Sequence, residues 1–424
     1  MQFRSSTFPT FWRCALRPDP GDTAWLLASS ALVLLMTPAL GLFYGGLVRK
    51  KNVLSTIMHS MAAIPLVSFL WLAVGYSLTF GPSHAGLIGG FDNLFMNGLV
   101  GELHGTVPAL AFAAFQAMFA VITPALISGA FAERMKFTAY VLFISAWVLL
   151  VYVPVAHWVW AEGGWLFKLG ALDFAGGTVI HITAGVSALV AALMTGKRLK
   201  YPHERPLPHN LTMTMLGAGL LWFGWFGFNA GSALASGHLA SLAFLATHLG
   251  AAGGAFGWVL VEWRHGGKPT ALGVASGLVA GLVAITPAAG FVDPWAAFVI
   301  GLLAGIACFY AVLLKYRLGY DDSLDAFGVH GVGGLVGALL TGVFAKQHTF
   351  SDLEAPVGAN GLIYGGVKQF GIQALASGVA LVYAGAVSAL LLFVLKKTIG
   401  LRVDESEERE GLDTAIHGEE GYAG

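Results

Sequence analysis

Stretches of about 20 predominantly apolar residues, the length an α-helix needs to cross bilayer hydrocarbon, recur along almost the whole chain with short polar breaks between them. Such runs leave few options. In hydrocarbon every backbone donor and acceptor must be satisfied within the structure, by a helix or by a closed barrel. Barrel strands alternate apolar and polar residues, and these runs do not. We read eleven spans, at 23–48, 53–80, 108–131, 137–160, 174–196, 211–235, 240–263, 270–290, 294–314, 325–345 and 370–395. Composition agrees, since of 424 residues 56% are hydrophobic and 11% charged, against roughly a quarter charged in soluble domains. The expected fold class is an all-α integral membrane protein packed as one bundle.

Several function classes fall away. Lys plus Arg and Asp plus Glu each number 23, so no net charge points to nucleic acid or another polyanion. Cys14 and Cys308 lie far apart without metal-ligand spacing, which implies neither a disulfide framework nor a zinc site. No Gly-x-x-x-x-Gly-Lys-Ser/Thr loop is present to bind a nucleotide. No cofactor or metal is expected, and no enzyme activity.

Orientation follows from the cations. Alternate connections carry 17 Lys and Arg on one side, from Arg49, Lys50 and Lys51 through Arg134 and Arg198 to Arg409; the other side has three, Lys168, Lys346 and Lys368. The positive-inside rule places the 17 in the cytoplasm, with the N-terminus outside, the C-terminus inside and an odd number of spans. Residues 1–22 hold several prolines and no long apolar run; they are expected to be a disordered extension with no cleavable signal peptide. Residues 23–399 form the membrane domain and 400–424 a solvated cytoplasmic tail.

Lipid gives helices no hydrophobic reason to associate, so close approach through small residues has to hold them together. Gly273, Gly277 and Gly281, Gly301 and Gly305, and Gly333 and Gly337 recur at intervals of four, forming smooth strips on three helices. An internal echo joins two spans: His181 is followed by Ala-Leu-Met-Thr-Gly at 192–196, and His330 by Ala-Leu-Leu-Thr-Gly at 338–342. Five spans separate them, so the helices run in opposite directions, as in inverted-topology repeats. The pseudo-repeats are roughly 23–196 and 211–345, with 370–395 a further helix.

Ionisable groups inside a membrane are costly unless partnered, so they mark functional candidates. Here they are mostly histidines: His59, His157, His181, His248 and His330. His59 and His248 read as histidines bonded to neighbouring helices, and His157 as an interfacial residue. His181 and His330 sit at equivalent points of the repeat among glycines, where their rings could meet; imidazole donates through one nitrogen and accepts through the other. Two opposed histidines could also ligate a haem or metal, but no further ligand spacing accompanies them.

The stretches Asp173-Phe-Ala-Gly-Gly-Thr-Val-Ile-His181, Gly224-Trp-Phe-Gly-Phe-Asn-Ala-Gly-Ser232 and Asp325-Ala-Phe-Gly-Val-His330-Gly resemble the Amt/Rh ammonium transporter family, closer to its microbial Amt branch. The resemblance extends from Phe43-Tyr-Gly-Gly to the tail segments Gly400-Leu-Arg-Val and Glu410-Gly-Leu-Asp. It implies eleven helices with two inverted five-helix repeats, a homotrimer with a pore in each subunit, residence in the plasma or inner membrane, and a cytoplasmic face that can take a PII-type signal protein. Carried across the motifs, it implies an external ammonium site at Phe119, Trp160 and Ser232, a gate at Phe115 and Phe228, a relay at His181 and His330, and Asp173 as support of the site.

The residues suit those roles on physical grounds. Ring faces at Phe119 and Trp160 attract a cation, and Ser232 adds an acceptor oxygen. Phe115 and Phe119 are four apart, as are Phe228 and Ser232, so each pair shares a helix face; seen alone, the phenylalanines would read as packing aromatics. Asp173 precedes an apolar run and is positioned to cap it. The expected function is transport of ammonium, or of ammonia derived from it, with an ammonium sensor signalling through its tail as the alternative.

Overall fold

A computed structural model describes residues 17–203 and 207–422. Most of the extension assigned to residues 1–22 lies outside the described residues. The first helix, α1, runs Pro20–Leu47, with Asp19 accepting from the Asp22 backbone N–H at 2.8 Å and proline in its first turn. It therefore starts three residues before the sequence reading.

The remaining long helices follow in order: α2 (Lys50–Phe80), α3 (Ala109–Ala130), α4 (Phe137–Leu169, interrupted after Trp160), α5 (Gly177–Thr195), α6 (Leu211–Gly231), α7 (His238–Gly266), α8 (Ala271–Ile285), α9 (Pro294–Leu318), α10 (Phe327–Phe344) and α11 (Val367–Thr398). Ten of these are long and apolar enough to cross a membrane; α8 is apolar but shorter, with 15 residues, or about 22 Å of helix. Beside the helices the described residues hold two small antiparallel ribbons, Ser83–His84 with Ile88–Gly89 and Leu103–His104 with Val107–Pro108. Both ribbons sit at the cation-poor end.

Glycine decides how close the helices come. A side chain at Gly254 of α7 would stand 2.4 Å from the Gly277 carbonyl of α8, and one at Gly305 of α9 would stand 2.2 Å from the Gly254 carbonyl. The expected strips at 277–281 and 301–305 thus meet a third strip, Gly250 and Gly254, between them. Backbone-to-backbone contact of this kind supplies the dispersion attraction that lipid does not oppose.

At the cation-rich end the polar groups are buried and matched. Arg198 pairs with Asp321 at 2.8 Å and Glu133 at 3.1 Å, and Glu133 also takes Arg49 at 2.9 Å. Arg134, fully buried, donates to the carbonyls of Gly196 and Asp321. Burial raises the Glu133 and Asp321 carboxyls, but Arg198, joined by Arg49 at Glu133 and by Arg134 at Asp321, outweighs it and holds both below the ordinary carboxylate range.

The tail departs from the solvated segment the sequence suggested. The Val403 N–H donates to the Arg134 carbonyl at 3.1 Å and the Lys136 N–H to the Leu401 carbonyl at 2.9 Å. A short helix, α12 (Glu405–Glu410), buries Glu408 against the Leu199 N–H. Asp413 accepts from the Leu54 and Ser55 N–H groups, capping the start of α2. These partners lie 200 to 360 positions away, so charge density alone gave no sign of them.

Candidate functional site

Two segments with the same plan build the centre of the bundle. Asp173 and Asp322 each stand eight positions before a histidine, His181 and His330. Asp173 accepts from the N–H groups of Gly176, Gly177, Thr178 and Val179 at 2.6–3.0 Å; Asp322 accepts from Ala326 and Phe327 at 3.0 and 2.8 Å. Each carboxylate satisfies orphan donors at a helix start. Both histidines then fall in a wide π-type turn, Gly177–Ile182 and Phe327–Gly331.

One turn beyond each histidine is a glycine, Gly185 and Gly334. A side chain at Gly185 would lie 2.1 Å from the Gly331 nitrogen, and one at Gly334 would lie 2.9 Å from His181 Cβ. The crossing of α5 and α10 therefore brings the two rings together. They stack 5.4 Å apart at 11°, with Nδ1 to Nδ1 at 3.3 Å. One ring must donate and the other accept. His181 Nε2 is buried with no protein partner.

Three cavities surround this centre: His330 lines the second and third, and Phe119 of the first packs against Phe228 of the second. The first, of about 640 Å³ at the cation-poor end, is lined by Phe112, Gln116, Phe119, Trp160, Glu162 and Ser232 among others. The second is about 10 Å³, bounded by Ile122, Trp225, Phe228, His181 and His330, room for about one water molecule. The third, about 170 Å³ at the cation-rich end, reaches from His330 to Tyr44, Lys315 and Asp325.

The residues expected at the external site do share the first cavity. The ring centroids of Phe119 and Trp160 are 6.0 Å apart. Trp160 Nε1 donates to the Asp173 carbonyl at 2.9 Å, so the aspartate that caps α5 also fixes the indole. Ser232 Oγ donates to the Phe228 carbonyl at 2.9 Å, leaving its lone pairs for a ligand.

Between the first and second cavities the ring facing Phe228 is Phe119, at 4.5 Å and 60°. Phe115 is not its partner. It is fully buried one turn along α3 and packs against Gly231, where an added side chain would stand 2.8 Å from its Cε2; it lines none of the three cavities. Spacing of four puts both phenylalanines on one face but does not tell which meets Phe228.

Other histidines take different places from those expected. His157 is buried, with Nδ1 at 2.7 Å from the Thr79 carbonyl and Nε2 at 2.8 Å from Ser83 Oγ. His59 has no partner on either ring nitrogen and sits among Phe131, Phe137 and Tyr140. His248 stacks on Trp222 at 5.4 Å. Trp225, stacked on His181 at 5.5 Å, and Asp322 were missed; the shared eight-residue spacing to histidine is the signal that finds Asp322.

The chain is similar to known proteins over almost its whole length. The model of the Ammonium Transporter Family matches residues 24–422. The ammonium transporter of Bacillus subtilis (strain 168) is 49% identical over 406 residues, covering 95% of this chain and 98% of that protein. Among solved structures, Saccharomyces cerevisiae Mep2 aligns with a TM-score of 0.86 at 38% identity over 92% of this chain and 89% of that one. A structure described as a sensor Amt protein aligns with a TM-score of 0.86 at 32% identity, covering 93% and 98%. The apolar helices, the paired histidines and these matches lead to one identification: the chain is a multi-pass membrane protein belonging to the Ammonium Transporter Family.

Proposed function

We propose that the chain gathers ammonium from outside the cell in the cavity of Phe119, Trp160 and Ser232, releases a proton there, and conducts ammonia past Phe228 and the paired histidines to the cytoplasm. The cation-rich end is the cytoplasmic one, in the plasma or inner membrane. Asp173 and Asp322 head the two halves of an inverted repeat. In a homotrimer each copy carries its own path, since one chain lines all three cavities.

The observation that carries this reading is the constriction of about 10 Å³ at the histidines. Moving a bare cation into such an apolar space forfeits hydration on the order of tens of kcal/mol, and a desolvated ring face returns about 2 kcal/mol or somewhat more. Neutral ammonia escapes that penalty. His181 Nε2, unpartnered and buried, offers it a hydrogen bond on the way.

A second reading, an ammonium sensor, is favoured by the likeness to the sensor Amt structure. Proteoliposomes separate the two. An inward ammonium gradient should raise internal pH faster than in protein-free vesicles, and simultaneous current would report whether the proton crosses as well. Bound ammonium without flux, in correctly folded protein, would leave the sensor reading.

A further inference from the structure

We infer that Lys315 is a resident ammonium group that fills the cytoplasmic counterpart of the outer cation site and keeps free ammonium ions from occupying the inner mouth. The inference rests on the transport reading above.

Lysines near helix C-termini ordinarily extend into water, where they favour the helix dipole. Lys315, near the end of α9, does not: it is 4% exposed. Its Nζ donates to the Asp322 carbonyl at 2.8 Å and to the Asp325 carboxylate, and lies 5.2 Å from the centroid of the Tyr316 ring. Asp325 holds φ at +62°, a conformation uncommon outside glycine, and from it reaches the amine. Carbonyl oxygen, carboxylate and ring face are the groups that hold an ammonium ion.

The cavity shared by Lys315, Asp325 and His330 is the inner end of the path. At the outer end the lining includes Glu162 and no Lys or Arg among the described residues. An arriving cation therefore meets open acceptors outside. Inside, the Asp322 carbonyl and the Asp325 carboxylate are already taken by the Lys315 amine. Ammonia, uncharged, has no need of those acceptors, so the inner mouth turns away the same ion that the constriction declines to dehydrate.

The test is the ammonium concentration giving half-maximal flux from each face, measured by internal pH in right-side-out and inside-out vesicles. Lys315→Met empties the site while keeping the length of the side chain. The cytoplasmic half-saturation should fall about tenfold relative to the external one, because the acceptors that the amine occupied are freed. Lys315→Arg should keep the wild-type ratio. Asp325→Asn retains the cation and should leave the ratio at or above wild type, and Lys315→Met with Asp325→Asn should return toward it. If Lys315→Met and Asp325→Asn shift the ratio alike, the pair is a structural salt bridge and the inference fails; an unchanged ratio in stable Lys315→Met also overturns it. Should Lys315→Met not fold, Asp325→Asn decides, since a lowered ratio there contradicts a retained resident cation. Absence of flux in wild type from either face would instead reject the transport reading.

Discussion

The Asp173–His181 segment and the Asp322–His330 segment use one local plan with different surroundings. Asp173 spends its carboxylate on four backbone N–H groups and its carbonyl on Trp160. Asp322 spends its carboxylate on two and its carbonyl on Lys315. Burial pushes both carboxyls above their ordinary value, Asp173 to about 6. The difference teaches that the aspartates organise helix starts at both ends, while what each carbonyl holds differs: an indole facing one cavity, a lysine at the other.

The rings where the two halves meet should show the largest effect. Replacing either His181 or His330 by Ala breaks the Nδ1–Nδ1 contact and leaves its partner without a bond, so each single variant should lose about nine-tenths of ammonium-driven flux and the double variant scarcely more. Additive losses in folded protein would show that the halves act independently. Next is the cap. Asp173→Ala orphans four donors and should destabilise by about 2–3 kcal/mol, against about 1–2 for Asp322→Ala with two. Equal unfolding midpoints in detergent would break the comparison at its root.

Trp160→Leu sharpens the outer half. Removing one ring face while keeping the site apolar should raise the external half-saturating ammonium about 3- to 10-fold, near 1 kcal/mol, with maximal flux retained. Loss at all concentrations would assign Trp160 to folding. The smallest effect concerns acid. Glu133 and Asp321 are held below their ordinary values by Arg198 once folded, so the unfolded chain binds their protons first as pH falls. Their stabilisation is complete above the ordinary carboxylate range and is lost as pH drops through the folded values. Below about pH 4 the unfolding temperature should decline; Glu133→Gln should flatten that decline, and an unchanged slope would remove Glu133 from the account.

Much of this was legible because membrane physics is written in run length. Each long apolar stretch returned a helix, and the cap at Asp173 was readable because a carboxylate stood before glycines and an apolar run. The pairing of His181 with His330 could be anticipated from the echo in their helices. What stayed hidden depends on rotation and distance. Phe115 and Phe119 share a face, so only the level of α6 decides that Phe119 meets Phe228. Lys315 counted as one more cation at a helix end until its burial was seen. The tail's partners, Asn52, Arg134 and Leu199, are too remote in sequence for any local pattern to join them.

The crossing of α5 and α10 has a mechanical meaning. Because Gly185 and Gly331 approach backbone to backbone, the two helices that carry the imidazoles are spaced by main chain with no side chain between them at that point. Widening the passage would require prying two helices apart along their whole seam. The crossing therefore works as a spacer that sets how far apart the two histidines stand.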